Sequence, residues 1–264
     1  MPVASDGTAY DLTGPEGAPV VVLIHGIGLD RSTVWAPIVR WLSRGFRVLS
    51  YDLPGHGQSA PAKGEVSLAT HRDQVIGLMD HLGIESAALV GFSIGGMINR
   101  RVAIDAPERV SALVILNSPH ARGDEMQAAV ERQARDSTAG AEATMQTTLK
   151  RWFTMEYRIE NKALVDDVKA VVLDCDPDSF AAHRIVLADG VKELIRPDPA
   201  ITAPTLVMTC AHDERSTPAM SDAIASEIDG AEVAIVPALK HLGLIERPMM
   251  FADRIEGFLD RVVP

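Results

Sequence analysis

Aromatic residues make up only 5% of this 264-residue chain, and cysteine occurs twice. Two cysteines exclude a disulfide-stapled scaffold, and Cys210, closing the apolar run 205–210, reads as a free thiol in a core strand. Positive charge is also short. The chain has 25 Lys and Arg against 36 Asp and Glu, a net charge of −11, which argues against nucleic acid or an anionic membrane as partner. No apolar run reaches the roughly 20 residues that a membrane-crossing helix needs. The start of the chain has neither the basic nor the apolar region of a secretory leader, so a cytoplasmic protein is expected. No Cys/His spacing fits a metal site, and both the P-loop pattern and a dinucleotide-binding glycine pattern are missing. Neither a metal nor a cofactor is expected.

What is present is an alternation. Short runs rich in Val, Ile and Leu occur at 20–25, 47–52, 87–91, 112–117, 205–210 and 233–236. They show little polar alternation, as strands buried on both faces of a parallel sheet do. Amphipathic patterns at 32–43, 68–82, 94–105 and 248–262 carry apolar residues at helical spacing. This predicts an α/β fold with a mostly parallel, doubly wound sheet. Between 120 and 196 no strand pattern occurs. Helical patterns at 124–138, 141–153, 161–173 and 178–187 fill the gap. The expected organisation is a core of 1–119 and 197–264 with a helical lid, 120–196, inserted into it.

Gly91-Phe-Ser93-Ile-Gly95-Gly96 fits G-x-S-x-G, with a strand pattern before it and a helix pattern after it. A turn that sharp brings backbones close together, so its flanking residues must be small, and the three glycines meet that need. Ser93 would then stand clear of the sheet edge above a helix N-terminus, which favours developing negative charge. Alone, the pattern could be a glycine-rich turn with an incidental serine; the strand and helix around it favour a nucleophile.

A serine needs a general base. Of eight histidines, His241 lies after the last strand pattern and before the last helix, where a loop can carry an imidazole to Ser93. By position alone it could equally cap the final helix; pairing with Ser93 favours catalysis. A carboxylate must orient the imidazole. Asp213 follows the 205–210 strand directly; Glu214 is its neighbour and rival, and an Asx-turn role is its structural alternative. The chain order is then Ser93, Asp213, His241. An oxyanion hole would take one N–H from Ile94, after the nucleophile, and one from Ile27 in the His25-Gly-Ile-Gly28 loop. His25, Asp52 and His56 read as scaffold.

These motifs together resemble the α/β-hydrolase fold family: the 25–28 loop, Tyr51-Asp-Leu-Pro-Gly-His-Gly-Gln-Ser59, the Ser93 turn, Asp213 to Pro218, and His241 to Pro248. The serine at the turn departs from epoxide hydrolases and haloalkane dehalogenases, which use aspartate there. Within the family the chain is most similar to 3-oxoadipate enol-lactonases, through Asp52-Leu-Pro-Gly-His-Gly, Arg151-Trp-Phe-Thr154 and His241-Leu-Gly-Leu-Ile-Glu-Arg-Pro248. That resemblance implies cofactor-free hydrolysis of a small anionic enol-lactone by a Ser-Asp-His triad.

The expected function is cleavage of a small carboxylic ester or lactone through an acyl-enzyme, by a monomer or homodimer. A C–C bond hydrolase with the same triad is one alternative, and a hydrolase-fold small-molecule receptor with slow turnover is another. An anionic substrate would want an arginine facing the pocket. Arg122, Arg151 and Arg184 are the candidates, and the sequence does not rank them. His120 is a further candidate contact, and Trp152 is either a wall of the pocket or part of the lid's own core.

Overall fold

The computed structural model describes residues 2–135 and 141–263. Its strands are β1 (Tyr10–Thr13), β2 (Val20–Ile24), β3 (Arg47–Tyr51), β4 (Ala87–Phe92), β5 (Val110–Leu116), β6 (Thr205–Cys210) and β7 (Glu232–Val236). They form one sheet in the order β1-β3-β2-β4-β5-β6-β7. Only β1 runs antiparallel, with Tyr10 opposite Tyr51. The helices are α1 (Arg31–Leu42), α2 (Leu68–His81), α3 (Gly95–Asp105), α4 (Asp124–Arg135), α5 (Ala141–Trp152), α6 (Met155–Glu160), α7 (Lys162–Asp174), α8 (Pro177–Asp189), α9 (Pro218–Ser226), α10 (Gly243–Glu246) and α11 (Pro248–Val262). No helix among the described residues is long and apolar enough to cross a membrane.

Strand side chains alternate between two cores, as the two-residue period requires. Val21 and Leu23 point with Val90 toward α1 and α11, where Trp35, Ile38, Phe251 and Ile255 are buried. Val22 and Ile24 point with Leu89 the other way, toward α2 and α3, onto Val75, Met79 and Ile98. Helices on both faces bury the central strands fully, which is why those strands are continuously apolar in sequence. Short polar side chains start the helices. Asp30 accepts from the Thr33 N–H at 2.7 Å, and Asp176 from that of Ser179 at 2.8 Å, with Pro177 at the first helical position.

The six strands and eight helices read from the sequence are present, with ends shifted by a few residues. The pattern at 124–138 extends past the described residues at 136–138. The edge strand β1 is an addition: at four residues, with one neighbour, it is too short to show a period. The short helices α6, α9 and α10, of six, nine and four residues, are additions as well. Strand order reverses about β2, whose following connection leads to β3 on one side while β4 lies on the other. Ligands of such sheets bind at the carboxyl ends beside that reversal, and here those ends carry His25–Gly28 and Ser93.

Four histidines pack where α8 meets the core. His56 stands between His25 and His183, at ring-centroid distances of 5.5 and 4.5 Å, and His71 on α2 lies 4.7 Å from His183. Among the described residues, His56 Nε2, His183 Nε2 and both ring nitrogens of His71 have no hydrogen-bond partner. Burial out of water holds these rings neutral. It pushes His25 down to about 4 and His56 and His183 down to about 3, and it lowers His71 well below 6.5. The unfolded chain, titrating near 6.5, therefore binds more protons than the folded chain in the acid range. Their contribution to stability is complete above pH 6.5 and is lost as pH falls toward 4. Urea unfolding midpoints should decline across that window. His71→Leu should flatten the decline by up to about 1.4 kcal/mol per pH unit, the effect of one proton.

Candidate active site

Ser93 sits between β4 and α3 with φ at 57°, in the left-handed region. Such a backbone costs about 1–3 kcal/mol for a residue other than glycine, so the surroundings must impose it. They leave no room to relax. A Cβ on Gly91 would run into the Gly95 carbonyl, one on Gly95 into the Ile24 carbonyl, and one on Gly96 would come within 2.6 Å of Ser118 Cβ. The Ser93 N–H donates to Leu116 O at 2.9 Å, which fixes the turn to the end of β5. Ser93 is 5% exposed and lines a cavity of about 200 Å³.

His241 and Asp213 line the same cavity. The His241 Nδ1–H donates to Asp213 Oδ2 at 2.6 Å, which leaves Nε2 as the basic nitrogen. Asn117 Nδ2 donates to that same oxygen at 2.9 Å, and the Arg215 and Ser216 amides donate to Oδ1 at 2.9 and 3.0 Å. Asp213 thus closes an Asx-type turn and meets the imidazole at once. Burial would raise its pKa, but the electrostatic attraction of the adjacent His241 ring and these hydrogen bonds hold it below the usual aspartate value. Glu214 is exposed. Asn117, itself at φ 44°, went unseen in the sequence; its position at the carboxyl end of β5 is the signal that could have found it.

The loop bearing His241 is fastened to the helical stretch between β5 and β6. The Leu242 N–H donates to Trp152 O at 2.9 Å, and Lys240 Nζ to Lys150 O at 2.7 Å. The Glu246 carboxylate accepts from the Thr154 N–H at 2.8 Å and its hydroxyl at 2.7 Å.

Ile27 also lines the cavity, and Ile94 follows Ser93 into the helix. No acceptor is paired with either amide among the described residues. His25 braces the Ile27 loop: its Nδ1–H donates to Gly26 O at 2.8 Å, and its Nε2 accepts from the Leu53 N–H at 2.9 Å. Both nitrogens are occupied, so it has none to offer as a base. Asp52 is ion-paired with Arg31 and accepts from the Gln58 N–H at 2.9 Å.

Trp152, Arg122, Arg151 and Arg184 all line the cavity. Arg215, absent from the sequence expectations, lines it as well, although its place two residues after Asp213 put it on the right loop. His120 does not. It is 5% exposed, its Nε2 is 3.1 Å from Glu227 Oε1, and it borders a separate cleft with Arg196 and Glu227. The expectation that it touches substrate is corrected accordingly: its ring ties the start of the helical stretch to the end of α9.

A family profile described as alpha/beta hydrolase fold matches residues 19–248. The chain is 26% identical to the (E)-2-((N-methylformamido)methylene)succinate hydrolase of Acinetobacter baylyi, over 98% of this chain and 97% of that one. It is 27% identical to 3-oxoadipate enol-lactonase 1 of the same organism, over 96% and 93%. Among solved structures, the enol-lactonase of Burkholderia xenovorans LB400 matches with a TM-score of 0.89 at 30% identity, covering 98% of this chain and 100% of that one.

The turn at Ser93 makes a sharp demand on Gly95, whose missing Cβ is replaced by a backbone carbonyl that cannot swing away. Gly95→Ala should cost more than about 3 kcal/mol, beyond the range of ordinary substitutions. Soluble yield and the urea midpoint would register it, whereas Gly257→Ala, in open space on α11, should leave the yield unchanged and raise the midpoint slightly, by about 0.5–1 kcal/mol of stability.

Proposed function

The chain belongs to the alpha/beta hydrolase fold family and is a hydrolase of ester or lactone bonds, and on that premise we propose that it works through an acyl-enzyme formed on Ser93. The observation that carries this reading is the serine at φ 57° sharing one cavity with a histidine already bonded to a buried carboxylate. Ser93 Oγ attacks the carbonyl carbon as His241 Nε2 takes its proton. Asp213 keeps the imidazole in the Nδ1–H tautomer and stabilises the imidazolium that forms. The Ile27 and Ile94 amides receive the oxyanion. His241 returns the proton to the leaving oxygen, and water, deprotonated by the same nitrogen, releases the acid.

Residues 120–196 act in this reading as a lid, with α4, α5 and α8 roofing the cavity and Trp152 as a wall. The substrate is small, as the cavity requires, and anionic. Arginines on the roof support that, and the names of two relatives, a succinate derivative's hydrolase and a 3-oxoadipate enol-lactonase, agree with it.

Ser93→Ala should lower kcat on 4-nitrophenyl acetate by roughly 10⁴- to 10⁶-fold with the melting temperature unchanged, and it should abolish labelling by a fluorophosphonate probe. Hydrolysis at the wild-type rate by the folded variant would overturn the assignment. Asp213→Asn should cost about 10⁴-fold, through the wrong tautomer, while leaving Ser93 in place.

A further inference from the structure

Four arginines line the cavity, each from a different element: Arg122 ahead of α4, Arg151 on α5, Arg184 on α8 and Arg215 on the loop after β6. Some arginines outside the cavity pair with carboxylates: Arg72 and Arg101 with Asp105, Arg109 with Asp80, Arg135 with Asp189, and Arg261 with Glu232. What sets the cavity arginines apart is that four of them share one space. Arg122 donates to Gln127 Oε1 at 3.1 Å and Leu187 O at 3.4 Å, Arg151 to Thr148 Oγ1 at 3.3 Å, and Arg184 to Gln133 O. All of these acceptors are neutral, and among the described residues none of the four arginines has an ion pair. Among the described residues, the one acid lining the cavity is Asp213, which His241 already holds.

Guanidinium groups withdrawn from water without a counterion are costly to keep. Arg122 and Arg151 are both half-buried, and burial holds both pKa values down. The next cause for each is the positive charge of Arg215, an exposed side chain that lines the same cavity; exposed Glu214 offsets it only for Arg151, and less strongly. One carboxylate has two oxygens and satisfies one guanidinium fork in full. Three forks on three elements around one cavity call for more. The absence of a phosphate-cradling glycine loop, and the planar fit of each fork to a carboxylate, favour carboxylates over a phosphate.

We propose that the substrate carries two carboxylates besides its ester or lactone carbonyl, and that Arg215 is the residue that selects it, shared between one carboxylate against Arg122 and the other against Arg151. This rests on the hydrolase reading of the same site and names its substrate class. Two carboxylates would offset much of the positive charge of the empty cavity, and the substrate would join the lid to the core through charge.

The test is direct binding, which needs no turnover. Isothermal titration of the wild-type enzyme with glutarate and with valerate, five-carbon acids that differ in one carboxylate, should give at least about tenfold tighter binding of glutarate. Arg215→Gln should abolish that preference, and Arg215→Lys, which keeps the charge and loses the fork, should retain part of it. Arg254→Gln, on the exposed side of α11, should keep all of it. Equal binding of the two acids, no binding of either, tighter binding of inorganic phosphate than of glutarate, or a preference that survives Arg215→Gln would each overturn the proposal. Loss of the hydrolase reading would show separately, as wild-type enzyme that neither turns over 4-nitrophenyl acetate nor reacts with the fluorophosphonate.

Discussion

A serine held in the left-handed region by its neighbours' backbones is the constraint on which the rest of the structure depends. Gly91, Gly95 and Gly96 let β4, α3 and the ends of β2 and β5 approach until no side-chain atom fits between them. That closeness comes from the sheet. β2 and β5 flank β4 in parallel register, so the carbonyls of Ile24 and Leu116 arrive at the turn from either side. The strain is therefore distributed over the burial of three central strands, and a local rearrangement cannot release it. The same adjacency sets the end of β2 next to Ser93, which is why the Ile27 amide shares its cavity.

The histidine is positioned differently. Its loop follows β7, toward the sheet's edge, and carries no comparable backbone crowding. Contacts from the helical stretch fix it instead: Trp152 O, Lys150 O and Thr154 hold Leu242, Lys240 and Glu246, on both sides of His241. Asp213 holds the ring from the core side through a carboxylate that Asn117 and two amides immobilise. The proposed base and the roof over it are thus parts of one hydrogen-bonded unit. A shift of α5 and its C-terminal turn would move the imagined substrate wall, Trp152, and the base together. The serine would stay where the sheet keeps it.

This division explains what could be read from sequence. The Ser93 turn was legible because backbone crowding demands glycine, and glycine is visible. The central strands were legible because burial on both faces leaves an unbroken apolar run. Asp213 was separable from Glu214 by its distance from the strand end. By contrast, which arginines face inward depends on how α4, α5 and α8 rotate about their axes, and helices with polar residues on several faces do not announce that rotation. His120 illustrates the limit. It lies close in sequence to Arg122, yet a two-residue step turns its ring toward Glu227 and away from the cavity. Arg215 shares the loop of Asp213, but a charged loop side chain reads equally as a solvated surface group.

The charge of the molecule and the charge of its cavity have opposite signs. A chain with net charge −11 repels anions at long range, yet its cavity presents four guanidinium groups against a single occupied carboxylate. The two effects act over different distances. Exposed acids are screened within about 8 Å at physiological ionic strength, whereas groups in a cleft with low-dielectric walls act on what enters with far less screening. An anion that diffuses to the mouth feels little of the overall charge and nearly all of the local field. The acidic exterior then disfavours loose adsorption of anions elsewhere on the surface, and it supplies partners for outer arginines such as Arg72, Arg101, Arg109, Arg135 and Arg261.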